Sequence, residues 1–456
     1  MHPIKLSSKT LVHISSGLYR STANALKELV SNAFDADATL VELNTNFPHF
    51  DVLTCRDNGN GMTQQEFVRL MDGGIGNSSK RIGDLNDGIT ERGRPIIGRI
   101  GIGLLAIAQV CLEFKIISHH RRTKTAFEAT VDINPYRRPD IAAAKLAEKA
   151  DYEIGRYECR SIPYDEKMAG VFVVSKDLLP TYADRYREDV RREEFEQVPL
   201  KFSELLHDFL SRRSVMELGD YWQLFWELCI SCPVRYVEEG PLRPATIVAS
   251  SEHNDKPKTL QLCRRALGIA EELKKSLIDY NFTVKLDGTP IRKPILLPQK
   301  ETDPVECRVF PVIFDNQVDG SQLKYRGYIY IQTRMIKPAE MRGILVRVRN
   351  VAIGDHDLAL LSYEKVQGFR RDWLSGEVFV EQGLEDALNI DRHSFNEVHP
   401  HYLALQRHLH RILNEDVFPA ALRASTISGS RRKEDLRNSK EEAFLRKVTF
   451  PTEARV

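Results

Sequence analysis

Residues 28–37 read ELVSNAFDAD, and this stretch decides how the chain folds. Glu28, Asn32 and Asp35 fall at i, i+4 and i+7, so they project from one face of a helix. Leu26, Leu29, Val30 and Ala33 occupy the opposite face, the pattern of a helix packed on a core. A solvated stripe would carry lysine and exchangeable charges. This one aligns two carboxylates around one carboxamide, with Asp37 closing the helix.

The surrounding sequence is consistent with a site built on that helix. ATLVELNTN and DVLTCRD read as strands, with β-branched residues and partial alternation. The second runs into DNGNGM, residues 57–62, a tight Asn/Gly turn. Thr63 and Glu66 then form a capping box that opens the helix TQQEFVRLMD. Residues 73–98 (GGIGNSSKRIGDLNDGITERGRPIIG) hold seven glycines and read as a lid, since so long a connection is usually a functional loop. The lid ends at GRIGIGLLAIAQVC, a glycine turn feeding an apolar helix. LEFKIISHH, TAFEATVDI and GVFVVSKDL follow as strands.

These pieces suit a nucleotide. Glycines at a helix start let backbone amides approach phosphate, and the helix dipole favours the negative charge. An enclosed Asp57 is an acceptor for an exocyclic amine such as that of adenine. Asn32 offers a neutral oxygen to Mg²⁺, and Glu28 can take a proton from an attacking water. The commoner phosphate motifs are excluded. Gly98, Gly101 and Gly103 are spaced G-x-x-G-x-G, the reverse of the dinucleotide fingerprint, and no G-x-x-x-x-G-K-[ST] occurs.

ELVSNAFDAD, DNGNGM and GRIGIGLLA, in that order, resemble the three nucleotide-binding boxes of the gyrase, heat-shock chaperone, histidine kinase and MutL (GHKL) ATPase superfamily. The resemblance covers roughly residues 10 to 180. It implies a Bergerat fold, a two-layer α/β sandwich, over residues 1–240 with a lid at about 73–98. It also implies ATP and Mg²⁺ as ligands. By that resemblance Glu28 is the water-activating base, Asn32 the Mg²⁺ ligand and Asp57 the adenine reader. Gly59, Gly61 and Met62 line the base, Lys80 reaches phosphate from the lid, and Gly98, Gly101, Ile102 and Gly103 cradle the phosphates. Asp35 and Asp37 are expected to take part in ATP binding. One departure is that the Gly-Thr pair frequent in this superfamily is here Gly170-Val171.

The likeness continues beyond residues 241–258, a Pro- and Ser-rich linker. LEDALNIDRHSF, residues 384–395, is similar to a segment of the middle domain of ninety-kilodalton heat-shock chaperones, and the preceding WLSGEVFVEQG matches the run leading into it. DYWQLFWELCISCPVRYVEE is similar to the end of that family's nucleotide domain. The resemblance implies an α/β middle domain over 259–422 and nominates Arg392 as the arginine that reaches the γ-phosphate on domain closure. Asn396 stands where that family has glutamine. Too few residues follow His410 for that family's C-terminal dimerisation domain, and residues 423–456 read as a mobile, mixed-charge tail.

Lys+Arg 65 against Asp+Glu 64 argues neither for nor against nucleic acid. The seven cysteines read as reduced thiols of a cytoplasmic protein, with Cys229-x-x-Cys232 lacking the second pair of a zinc site. The histidines from His399 to His410 read as a helix cap and a solvated face around Leu403, Leu409 and Leu413. No apolar run is long enough to span a membrane. The expected function is an Mg-dependent ATPase of the heat-shock-chaperone type, in which nucleotide-driven lid closure and domain docking act on a protein partner, with room for a nucleotide-dependent homodimer. The alternative is a DNA-associated clamp like MutL or the microrchidia proteins. A histidine kinase is excluded by order, because nothing upstream of the ATP helix has room for phosphoacceptor helices.

Overall fold

The computed structural model describes residues 21–72, 89–98, 104, 106–107, 110–132, 156–193, 205, 208–210, 212–236, 281–294, 307–365, 367–389 and 393–449. Lys80, Gly101, Ile102, Gly103 and Arg392 lie outside them, as do lid residues 73–88 and the linker.

Ser21 caps α1 (Thr22–Asp35) by accepting from the Asn24 amide. The helix buries Leu26, Leu29, Val30, Ala33 and Phe34. Each of the large ones contributes about 1.5–3 kcal/mol by leaving water. They pack on a mixed sheet of eight strands: β1 (Leu40–Asn44), β2 (Leu53–Asp57), β3 (Cys111–His120), β4 (Thr125–Asp132), β5 (Arg156–Ile162), β6 (Gly170–Leu178), β7 (Thr283–Leu286) and β8 (Thr289–Pro290). Their order is β5-β4-β3-β6-β2-β1-β7-β8, antiparallel except where β7 runs parallel to β1. Helix α2 (Gln64–Asp72) starts at the expected capping box, with the Glu66 amide bonded to Thr63 Oγ1 and the Thr63 amide to Glu66 Oε2. Helix α3 is Pro180–Glu193. Helix α4 (Asp220–Ser231) adds Tyr221, Trp222, Phe225 and Trp226 to the core beneath α1. The unit is a helix layer on one large sheet, an α/β architecture as expected.

The first sheet extends further along the sequence than the expected boundaries. Strands β7 and β8 follow the linker, yet they complete this sheet, and Phe282, Val284, Leu286 and Ile291 are fully buried in it. The parallel register buries alternate β7 residues beside Val41 and Leu43. Asp287 locks the junction. Its carboxylate accepts from the Thr45 amide (2.7 Å), Thr45 Oγ1 (2.8 Å) and Tyr221 Oη (2.7 Å).

A second sheet is built from β9 (Cys307–Val318), β10 (Ser321–Gln332), β11 (Gly343–Val348), β12 (Val351–Asp357) and β13 (Leu374–Gln382), in the order β12-β11-β13-β10-β9. The run GILVRVRNVAI, residues 343–353, forms β11 and the start of β12, joined by a two-residue turn, Arg349-Asn350. Helix α5 (Pro400–Ile412), one π turn (Leu413–Val417) and the start of α6 (Phe418–Thr449) cover this sheet with Leu405, Leu409, Leu413, Val417 and Ala421. Leu403 is exposed instead. Residues 423–449 of the expected mobile tail thus continue a helix. Its first turns are anchored on the core, which removes the nucleation cost, and good helix formers such as the Arg437–Glu441 pair at i,i+4 carry it on. The histidines serve the fold: His399 caps α5, and His401 and His410 bond to backbone carbonyls.

A buried polar network joins the two sheets. Arg347 on β11 pairs with Glu377 on β13 and donates to the Ile230 carbonyl at the end of α4 (2.6 Å). Tyr236 and Tyr328 both donate to Glu377 Oε1, at 2.7 and 2.8 Å. Lys293, fully buried just after β8, donates to the side chain and carbonyl of Asn350.

Candidate functional site

Helix α1 brings Glu28 and Asn32 to one side. Glu28 is buried and Asn32 half-buried. The two aspartates that follow are engaged by the chain itself. Asp35 accepts the amides of Ile97 (2.7 Å) and Gly98 (2.6 Å), through its two carboxylate oxygens. Asp37, in left-handed backbone at φ 60°, accepts Thr90 Oγ1 (2.5 Å) and the Arg92 amide (3.3 Å). In the structure their carboxylates hold residues 90–98, the end of the stretch read as a lid. Arg94 completes the attachment by donating to the carbonyls of Ala38 (2.6 Å), Phe34 and Asn281, with its guanidinium 4.7 Å from the Phe34 ring centre. Gly98 thus leaves the end of α1 at a fixed point.

Asp57 ends β2 and opens the glycine turn. The Gly59 amide (2.8 Å) and the Val171 amide (3.3 Å) both bond to its Oδ1. Burial pushes its pKa up to about 6, although those two amides and Arg121 act in the other direction. An enclosed carboxyl so incompletely compensated is suited to a further donor from a ligand. The Val171 amide also bears on the missing threonine, since at this position the chain contributes a backbone N–H to Asp57.

Two glycines are required by the protein's own packing. At Gly170 (φ +122°) a Cβ would lie 2.2 Å from the Asp57 carbonyl oxygen, and at Gly61 (φ +76°) 2.5 Å from that of His119. Gly59 sits between Asp57 and the end of α1. The Met62 amide and carbonyl both bond to Ser118 Oγ of β3, at 2.8 Å each, and Met62 packs against the core. Arg121, not singled out in the sequence, braces the turn by donating to the carbonyls of Gly59 (3.1 Å) and Asn58 (3.2 Å). Its neighbour Arg122 is equally basic, so nothing in the sequence distinguishes the two.

A cavity of about 480 Å³ lies beside α1, between helices α1 and α4 and the second unit. Asn24 and Lys27 line it from α1, Glu227 from α4, and His356 and His393 from the second unit. Burial lowers the pKa of His356 to about 4 and raises that of Glu227, so the wall carries a neutral imidazole. His393 directly follows Arg392 in the chain, and Lys27 directly precedes Glu28.

Asn32, half-buried on α1, carries a neutral amide oxygen of the kind that fits a hard cation accompanying a phosphate ester, and Glu28 lies buried one turn away, apart from that role. Cys229 and Cys232 are buried free thiols. Burial raises both pKa values, that of Cys232 to about 12, which keeps them protonated and packed.

Residues 19–159 match the family model described as histidine kinase-, DNA gyrase B-, and HSP90-like ATPase. The match runs from just before the cap of α1 into β5 and takes in the helix and the glycine turn at Asp57. Among curated proteins, the chain is similar to a putative type II restriction enzyme, HgiDII, of Herpetosiphon aurantiacus, with 37% identity over 110 residues. That alignment takes in 23% of this chain and 16% of the relative's length. No helix among the described residues is long and apolar enough to cross a membrane.

Proposed function

We propose that this chain is an ATP-binding and ATP-hydrolysing switch whose nucleotide state is transmitted from the first sheet to the second. The observation that carries the reading is Asp57, a half-buried carboxyl on a glycine turn that accepts two backbone amides, within the stretch that matches the ATPase family. In this reading Asp57 accepts from the adenine amino group. Asn32 holds Mg²⁺, which supplies charge neutralisation at the phosphates. Glu28 takes the proton of the attacking water, helped by its buried position. Gly98 stands at the start of the phosphate turn, and Lys80 approaches the phosphates from the lid. Arg392 completes the site from the second unit. That role is supported by its neighbour His393, which lines the same cavity as Lys27, the residue before Glu28.

Two outputs follow from the same engine. The heat-shock-chaperone likeness of residues 384–395 supports docking of a middle domain and work on a protein partner. The likeness to a protein described as a putative restriction enzyme favours the second output, an ATPase that acts on DNA. The test is calorimetric binding of Mg-ATP, followed by phosphate release alone, with duplex DNA and with an unfolded protein. Stimulation by DNA selects the second output and stimulation by unfolded protein the first. Absence of both binding and hydrolysis rejects the ATPase reading.

A further inference from the structure

The turn between β11 and β12 places an arginine in left-handed backbone that its hairpin would hold more easily with Asn or Gly. Arg349 and Asn350 are its two residues, with φ of 52° and 69°. Two-residue hairpins need left-handed backbone at both positions, which Asn and Gly supply readily. Asn350 is ordinary there; arginine is not. Backbone strain held in place by its surroundings is a pointer to function.

The surroundings show what the strain accomplishes. Arg349 projects from the hairpin tip onto the first unit and donates to the Ile96 carbonyl, while bonding to Glu385 Oε1 (3.1 Å). Glu385 is itself fixed, because its other oxygen accepts the Gly383 amide (2.7 Å). Asn350, beside it, accepts from Lys293 of the first unit. The next two residues after Ile96 are Ile97 and Gly98, whose amides are held by Asp35 of α1. The peptide entering the glycine turn is therefore gripped from both sides, by α1 and by the second sheet.

We propose that Arg349 is a positioning residue for the nucleotide's phosphates: the hairpin tip fixes the Ile96–Gly98 backbone and thereby couples the second unit to phosphate binding. This rests on the ATP reading above. Because coupling between two sites is reciprocal, phosphate engagement at Gly98 also tightens the tip against the first unit. Asp57 lies on a different element, β2, so recognition of the base is independent of the tip.

Arg349→Gly in the full chain is the test, because glycine adopts the turn's backbone without strain and removes only the side chain. Affinity for a non-hydrolysable ATP analogue and for adenosine is measured by calorimetry on parent and variant. The analogue's affinity is expected to fall about 5-fold or more, in the range usual for coupled sites, with adenosine unchanged. In the parent, the analogue slows hydrogen exchange at residues 349–351; in the variant that protection disappears. Equal losses for the analogue and adenosine, or no loss for either, overturn the inference. A parent that binds neither ligand overturns the ATP reading itself. Glu385→Gln, which leaves Arg349 in place but weakens its support, should shift the analogue's affinity in the same direction by less.

Discussion

Asp57 is a half-buried carboxyl and Glu377 a fully buried one, and burial pushes the pKa of each upward. They end on opposite sides of the ordinary value. Asp57 rises to about 6, with two backbone amides on one oxygen and Arg121 nearby. Glu377 falls to about 2, because Arg347 above all, with His356, Lys293 and Tyr236, outweighs the desolvation. The difference separates a carboxyl fully compensated within the fold from one that is not. The junction between the sheets is a finished structure; the glycine turn, on the reading proposed above, is a receptor.

The largest expected effect tests the receptor side. Glu28→Ala should bind Mg-ATP like the parent yet turn it over about 10²–10⁴-fold more slowly, since only the general base is removed. Phosphate release within twofold of the parent would show that Glu28 is not the base.

The junction side comes next. Glu377→Gln leaves Arg347 buried beside a neutral amide, and urea unfolding should show a loss of about 3–5 kcal/mol. Glu377 has a depressed pKa in the folded state. Its contribution is therefore present above the unfolded value near 4.5 and disappears as pH falls from there toward 2. An unchanged midpoint would mean that Arg347 finds its compensation elsewhere.

Asp57→Asn sets the two sides directly against each other. Removing an unfulfilled charge should stabilise the ligand-free protein at pH 7.5 by about 2–3 kcal/mol, from a shift of about two pK units. The folded pKa is raised, so this carboxyl's contribution is fully present below 3.8 and is lost as pH rises through 6. The variant's advantage should therefore vanish near pH 4. The same change should weaken ATP binding by about 1.5–3 kcal/mol, one to two decades in Kd. A variant that is both less stable and still able to bind would make Asp57 a structural group like Glu377.

The smallest predicted effect concerns Arg392. Arg392→Ala should leave ATP affinity nearly intact while lowering kcat at least about tenfold, roughly 1.4 kcal/mol of barrier. Parent-like hydrolysis would detach the second unit from the chemistry.

What could be read in the sequence follows the range of the interactions. α1, the capping box at Thr63 and the strands ending at Asp57 are local patterns, and the structure has them where periodicity put them. Strand β5 was missed because it is a polar edge strand, with no buried residue to mark it. For Asp35 and Asp37 the sequence shows two special aspartates but not their partners in the fold, Ile97 and Thr90, which lie more than fifty residues away. Arg349 carried little signal, because an Arg-Asn pair is not among those that favour a two-residue hairpin. Its contact with Ile96, 253 residues distant, carried none.

Strand β7 has a consequence for synthesis. Emerging from the ribosome, β1 has one flank covered by β2 and the other open until residues 283–286 arrive. For more than two hundred residues of elongation, roughly 10–50 s at common translation rates, the nascent first unit exposes a pairing edge and lacks four buried apolar side chains. A chain released at residue 250 would keep that edge for good and tend to pair with its own copies, whereas one ending after Pro294 would close it. The natural place to divide this molecule is therefore inside what looks like its second half.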